Sequence, residues 1–295
     1  MTKLTGYLRL LRPANLITSV ADVLAGIAIS GVLVHGFGSA PYISILLLCI
    51  STIGLYGGGV AFNDIFDAEL DRVERPERPI PSGLMSLTEA SVMAGLFLIV
   101  GILTAFLVNF TSGMLSIAIA VAALVYDKWG KHHSIIGPVN MGLCRGLNLL
   151  LGISVLPFAM FQWWYLAIVP IIYISSITMI RRAEVHGSNR NPLYFAVILY
   201  SLVLVFLLYF SFSRGMVLFA LPFLVLFAWM IFKPLSVAIK EPLGSNIGKA
   251  VKAGVISLII MDAAWAAASG ELIVAVIISL LLPLSYWLAR VFAVT

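Results

Sequence analysis

PYISILLLCISTIGLYGGGVAF (Pro41–Phe62) holds no charged residue, and NDIFDAELD (Asn63–Asp71) follows it without a break. The first string is 22 residues long, enough to cross a bilayer as a helix. The second places four acids where that helix must leave the membrane. At about 100° per residue, Asn63, Asp64, Asp67 and Asp71 fall at roughly 0°, 100°, 40° and 80°, on one face. Glu69 falls on the opposite side.

The rest of the chain repeats the first string. Of 295 residues, 61% are hydrophobic and only 31 are charged, where a soluble domain of this length carries about 70. Mean hydropathy is +1.08. A soluble enzyme, a disordered chain, a collagen and a disulfide scaffold are excluded. Nucleic acid is excluded as a partner too, despite a pI near 9.3. Cys49 and Cys144 lie in apolar runs and make no zinc site. What remains is an all-α, polytopic transmembrane helical bundle, a single domain over 1–295.

Ten apolar segments are expected. They are Asn15–Val34, Pro41–Phe62, Glu89–Val108, Gly113–Tyr126, Pro138–Leu156, Trp163–Ile180, Leu193–Phe210, Met216–Phe232, Gly248–Ala268 and Leu272–Ala289. No cleavable leader is expected, because the first apolar run is too long for one. With the N-terminus in the cytoplasm and spans alternating, 16 of the 18 basic residues fall inside. Arg214 alone falls outside and Arg145 lies within a span. That asymmetry sets the orientation. The inner loops 63–88, 127–137, 181–192 and 233–247 then form a cytoplasmic cap, and an active site opens on that side. Asn109-Phe110-Thr111 matches a glycosylation sequon but sits in a turn against the membrane, where it reads as chance.

Acids on one face at a membrane mouth repel one another and lose hydration, so they need neutralising. A solvated acidic helix end is the plainer reading, but it opposes the helix dipole. Magnesium resolves the conflict: it takes one or two carboxylates and fills its other sites with water and phosphate oxygens. The metal ligands are then Asn63, Asp64, Asp67 and Asp71. Prolines at 76, 79 and 81 stop the helix, and Arg72, Arg75 and Arg78 follow the acids directly. Carboxylate for metal beside guanidinium for phosphate suits a diphosphate; each arginine also serves the positive-inside bias. Asp22, Arg145 and Asp262 lie inside spans and need partners. Arg145 is read as a cavity group toward diphosphate, or else as a structural partner of Asp22 or Asp262.

Asn63-Asp64-x-x-Asp67-x-x-x-Asp71, followed by Arg75-Pro76-x-Arg78-Pro79-Ile80-x-Ser82-Gly83, resembles the UbiA superfamily of intramembrane prenyltransferases. The second half is similar to the branch holding chlorophyll synthases and the archaeal geranylgeranylglyceryl phosphate enzymes. Arg12-Pro13-x-Asn15 and the Tyr126/Lys131 loop fit the same family, which adds Asn15, Tyr126 and Lys131 to the substrate-binding set. The resemblance implies a nine-helix core, so Leu272–Ala289 is an additional tenth segment.

One motif departs from the family. The second Asp-rich motif, expected at the end of the sixth span, reads RRAEVHGSNR (Arg181–Arg190). This variant, with YDKWGKHH (Tyr126–His133), resembles the EboC-like branch. Glu184 could hold a second magnesium, His186 could act as base or phosphate donor, and Arg181, Arg182 and Arg190 could replace that metal; a solvated loop without a role is the alternative.

The implied reaction transfers a prenyl group from a diphosphate such as farnesyl or geranylgeranyl diphosphate to an acceptor that the sequence does not specify, within membrane lipid. Mg2+ is the implied cofactor. Phe62, Phe66, Tyr126, Trp129 and Tyr173 are candidates to face a cation-like prenyl carbon. Two other readings stand beside this one: a prenyl-diphosphate-binding protein without catalysis, and a cation-coupled transporter. The transporter reading fits poorly with acids at a helix end and not at the midplane.

Overall fold

The computed structural model describes residues 3–33, 40–133, 136–186 and 190–292, without the side chains of 40, 41, 132 and 182–186. Every regular element among them is helical. A short helix α1 (Lys3–Leu11) precedes α2 (Pro13–Ser30) and α3 (Ala40–Phe66). The acidic string forms α4 (Ala68–Glu74). Then come α5 (Leu87–Val108), α6 (Phe110–Lys128), α7 (Ile136–Ile153), α8 (Pro157–Trp163) and α9 (Ile168–His186). Last are α10 (Asn191–Ser213), α11 (Val217–Lys240), α12 (Gly244–Ala268) and α13 (Leu272–Val291). Among the described residues, ten stretches are long and apolar enough to cross a membrane: α2, α3, α5, α6, α7, α8 with α9, and α10 to α13. The protein is an integral, multi-pass membrane protein.

Two ends differ from the sequence expectation. The fourth span begins at Phe110, not Gly113, because Asn109 caps it by accepting from the Ser112 N–H at 2.9 Å. Asn109 is also the C-cap of α5, so the outer loop expected over 109–112 shrinks to one extended residue. Its amide donates to the Ser154 carbonyl at 2.8 Å, in keeping with a structural and not a glycosylated asparagine. The outer loop expected over 157–162 is the short helix α8, started by Pro157 in its first turn.

Consecutive spans pack side by side, and the chain closes on itself where α12 meets α2. The tenth span, α13, lies over both α2 and α12, and Ser285 donates to the Ala14 carbonyl at 3.1 Å. Most of α12 is enclosed, and its run Met261–Ala268 is buried throughout. Small residues there let neighbours approach, as lipid-embedded helices require. α2 and α7 approach each other closely. A Cβ on Gly26 would stand 2.2 Å from the Leu149 carbonyl oxygen, and one on Gly152 would stand 2.2 Å from that of Val23.

Inside this contact lies the buried polar centre. Arg145 of α7 donates to Asp22 at 2.8 Å and to Thr18 at 2.5 Å, and its guanidinium lies 5.2 Å from the Tyr56 ring. Asn148, one turn on, donates to Asp22 at 3.0 Å and to the Ser19 carbonyl at 2.8 Å. Thr52 of α3 donates to Asn148 at 2.7 Å, which ties the second span to the first and fifth. Asp262 of α12 lies beside Asp22. Arg145 thus makes the pair with Asp22 that the second of its two sequence readings describes.

Gly152→Val is expected to cost about 3 kcal/mol or more, because the added carbons meet backbone that cannot yield. Gly95→Ala, where a Cβ meets nothing within 4 Å, should be neutral or slightly stabilising. Thermal unfolding in detergent separates the two. In the same assay Arg145→Met should cost about 3–5 kcal/mol by leaving Asp22 unpaired. Adding Asp22→Asn should restore a large part of that loss.

Candidate active site

The first span enters through an unusual corner. Arg12 precedes Pro13 and is the one non-glycine residue with positive φ (48°) among the described residues. Such a left-handed conformation costs on the order of 1–3 kcal/mol and persists where the surroundings over-determine it. Here the Arg12 carbonyl accepts from the amides of Asn15 and Leu16, which starts α2. Its guanidinium reaches Asp64 at 2.6 Å.

The acid face forms as the spacing predicts, but not on one continuous helix. The backbone leaves helical geometry at Asp67, where α3 gives way to α4. The amide of Asp67 still bonds to the Asn63 carbonyl and that of Asp71 to the Asp67 carbonyl, so the register survives. Asp64 and Asp71 are buried, at 4% and 1% exposure, whereas the Glu69 side chain is 83% exposed. The division into an inner and an outer face is therefore observed.

Each inner acid has a cation. Arg78, from the proline-rich loop, bridges Asp64 at 3.2 Å and Asp71 at 2.5 Å. Arg75 stands 3.7 Å from the other oxygen of Asp71, which accepts no hydrogen bond. Lys131, in the turn after α6, pairs with Asp67. Three elements distant in sequence thus converge on the end of α3: the α2 entrance, the loop after α4 and the turn after α6. Among the described residues, no three acids, histidines or cysteines converge on a single point.

The remaining candidates divide. Asn63 sits in the cluster and donates to Asp127 at 2.9 Å. Asn15 occupies the first turn of α2, behind Arg12, and Tyr126 is half-buried at the end of α6. Arg72 turns outward to Glu69 at 3.1 Å, away from the cluster. Arg181 is exposed near the end of α9. The side chains of Arg182, Glu184 and His186 lie outside the described residues. Of the aromatics, Phe62 and Phe66 stand 6.1 Å apart beside the acids. Tyr173 is buried, stacked on Tyr200 and donating to the Gly254 carbonyl, and Trp129 is exposed beneath Lys128.

Two members of the cluster were not among the candidates. The motif reading gives Arg12 no contact of its own, and its pairing with Asp64 spans 52 residues of sequence. Asp127, buried beside Asn63, follows Tyr126 in a string read for its Tyr and Lys.

The sequence and the fold are similar to those of known proteins. A family model described as the UbiA prenyltransferase family matches residues 23–242. A digeranylgeranylglyceryl phosphate synthase of Saccharolobus solfataricus is 28% identical over an alignment covering 60% of this chain and 61% of that one. The chain thus matches under two thirds of that relative's length. A UbiA homologue from Aeropyrum pernix K1 shares the fold with a TM-score of 0.70, at 18% identity, over 84% of this chain and 96% of the other. A homologue from Archaeoglobus fulgidus, solved with DMAPP and Mg2+, superposes with a TM-score of 0.62 at 15% identity, over 86% and 99%. A ten-span helical bundle with an acid-and-arginine mouth, matched by this model over most of its length, belongs to the UbiA prenyltransferase family.

Proposed function

We propose that this chain is a Mg2+-dependent prenyltransferase of the membrane. It moves a prenyl group from an allylic diphosphate, such as farnesyl or geranylgeranyl diphosphate, to a small or lipophilic acceptor. The whole of 1–295 acts as one unit, with its N-terminus and its mouth on the cytoplasmic side. The observation that carries this reading is the interleaving of Asp64, Asp67 and Asp71 with Arg12, Arg78 and Lys131 at one helix end.

The residues present fit magnesium. Asn63, Asp64, Asp67 and Asp71 offer only oxygen ligands from their side chains, and the buried Asp71 Oδ1 accepts no hydrogen bond. Magnesium asks for one or two carboxylates and not for a closed cage. Bound there, it would neutralise charge that builds on the departing diphosphate. Arg12, Arg75, Arg78 and Lys131 can each donate to diphosphate oxygens in place of the carboxylates they now hold. Phe62, Phe66 and Tyr126 are the aromatics we assign to a cation-like prenyl carbon. The surrounding spans exclude the water that would capture it. The name of the Saccharolobus relative makes a prenylated glyceryl phosphate the first acceptor to try.

Membrane vesicles given radiolabelled geranylgeranyl diphosphate, Mg2+ and a lipid extract should release diphosphate and label a new lipid. Asp64→Ala and Asp67→Ala should each lower that rate by on the order of 10²–10³. EDTA should abolish it and added Mg2+ should restore it. Magnesium-independent uptake of the label, with no new lipid, would point to transport instead. The orientation has its own check: Ser82→Cys should escape a membrane-impermeant maleimide in intact cells and react in inverted vesicles.

A further inference from the structure

Asp127 has no role in the reading above, yet it is one of the most constrained acids of the molecule. It closes the cytoplasmic end of α6 at 4% exposure, with Lys131, Asp67 and Arg12 around it. Its Oδ1 accepts from the Asn63 amide nitrogen at 2.9 Å. The two residues are 64 positions apart, so this bond joins α6 to the end of α3.

An asparagine side chain has two unlike ends: a carbonyl oxygen that can bind a hard cation and an amide nitrogen that cannot. A half-turn about its last bond exchanges them, and steric fit scarcely distinguishes the two orientations. A carboxylate accepts hydrogen bonds and donates none. Asp127 therefore holds the nitrogen end of Asn63. The oxygen, the end able to bind a cation, is left on the side away from Asp127.

We propose that Asp127 is a positioning residue that fixes the amide of Asn63 with its oxygen toward the metal. This rests on the reading that Asn63 is a magnesium ligand. Groups that orient a ligand from behind typically contribute 10–100-fold to metal affinity.

The test reads Mn2+ binding to the purified full chain through loss of the free-ion EPR signal, without substrate. Asp127→Leu is expected to weaken binding about 10-fold or more. Asp127→Asn, which can still accept through its oxygen, should recover part of the loss. In an Asn63→Asp background both ends of residue 63 are oxygens, so there is no orientation to lose. There, adding Asp127→Leu should leave Mn2+ affinity unchanged or raise it. An equal loss in both backgrounds, or no loss in the natural one, overturns the positioning role and leaves the metal site standing. Absence of Mn2+ binding by the unsubstituted chain overturns the metal reading and this inference with it. Thermal melting of each variant checks the fold, and if Asp127→Leu does not fold, the isosteric Asp127→Asn supplies the comparison in both backgrounds.

Discussion

The ion pair of Arg145 with Asp22 holds the architecture in register. A charge in a low-dielectric interior is tolerated only where a counter-charge and hydrogen bonds meet it. Asp22 fixes where α7 crosses α2, Asn148 extends the contact, and Thr52 draws in α3. The glycine contact of Gly26 with Gly152 lies on the same helix pair, so close backbones and a short ion pair support each other. With α2 and α3 so placed, Arg12 at the start of one falls beside Asp64 near the end of the other.

The same electrostatic rule governs the mouth, with a different outcome. In the interior Arg145 and Asp22 hold each other in a lasting pair. At the end of α3, the acids face cations that arrive from a strained corner, a proline-stiffened loop and a turn. These cations are attached to short connecting segments, not to the middles of packed helices. In the proposed reaction that difference matters, because phosphate oxygens can compete for guanidinium groups whose backbone is not locked in a helix bundle.

Much of this was legible in the sequence. Hydropathy located all ten spans, because length and apolarity are properties of contiguous residues. The inner acid face was legible too, since the helical period survives the break at Asp67 through two backbone hydrogen bonds. What escaped was contact between distant positions. Nothing near Asp127 announces Asn63, and nothing near Arg12 announces Asp64. Arg145 could be seen to need an acid, but Asp22 and Asp262 were equal choices on paper, and the structure gives it Asp22. Arg72 was read with Arg75 and Arg78 because the three are close in sequence, yet its position on α4 turns it to the opposite face. The extent of the fourth span was misjudged for a local reason: the capping of Ser112 by Asn109 lets helix begin earlier than hydropathy alone suggests.

The separation of Asp22 from its partners also bears on how the chain is made. Asp22 lies in α2, and Arg145 follows 123 residues later. At about 5–20 residues per second, its counter-charge emerges roughly 6–25 s after it does. During that interval the first span carries an acid with no partner in lipid. It must wait at the margin of the insertion machinery until the fifth span arrives. Assembly of this bundle is therefore gated by the delivery of one arginine.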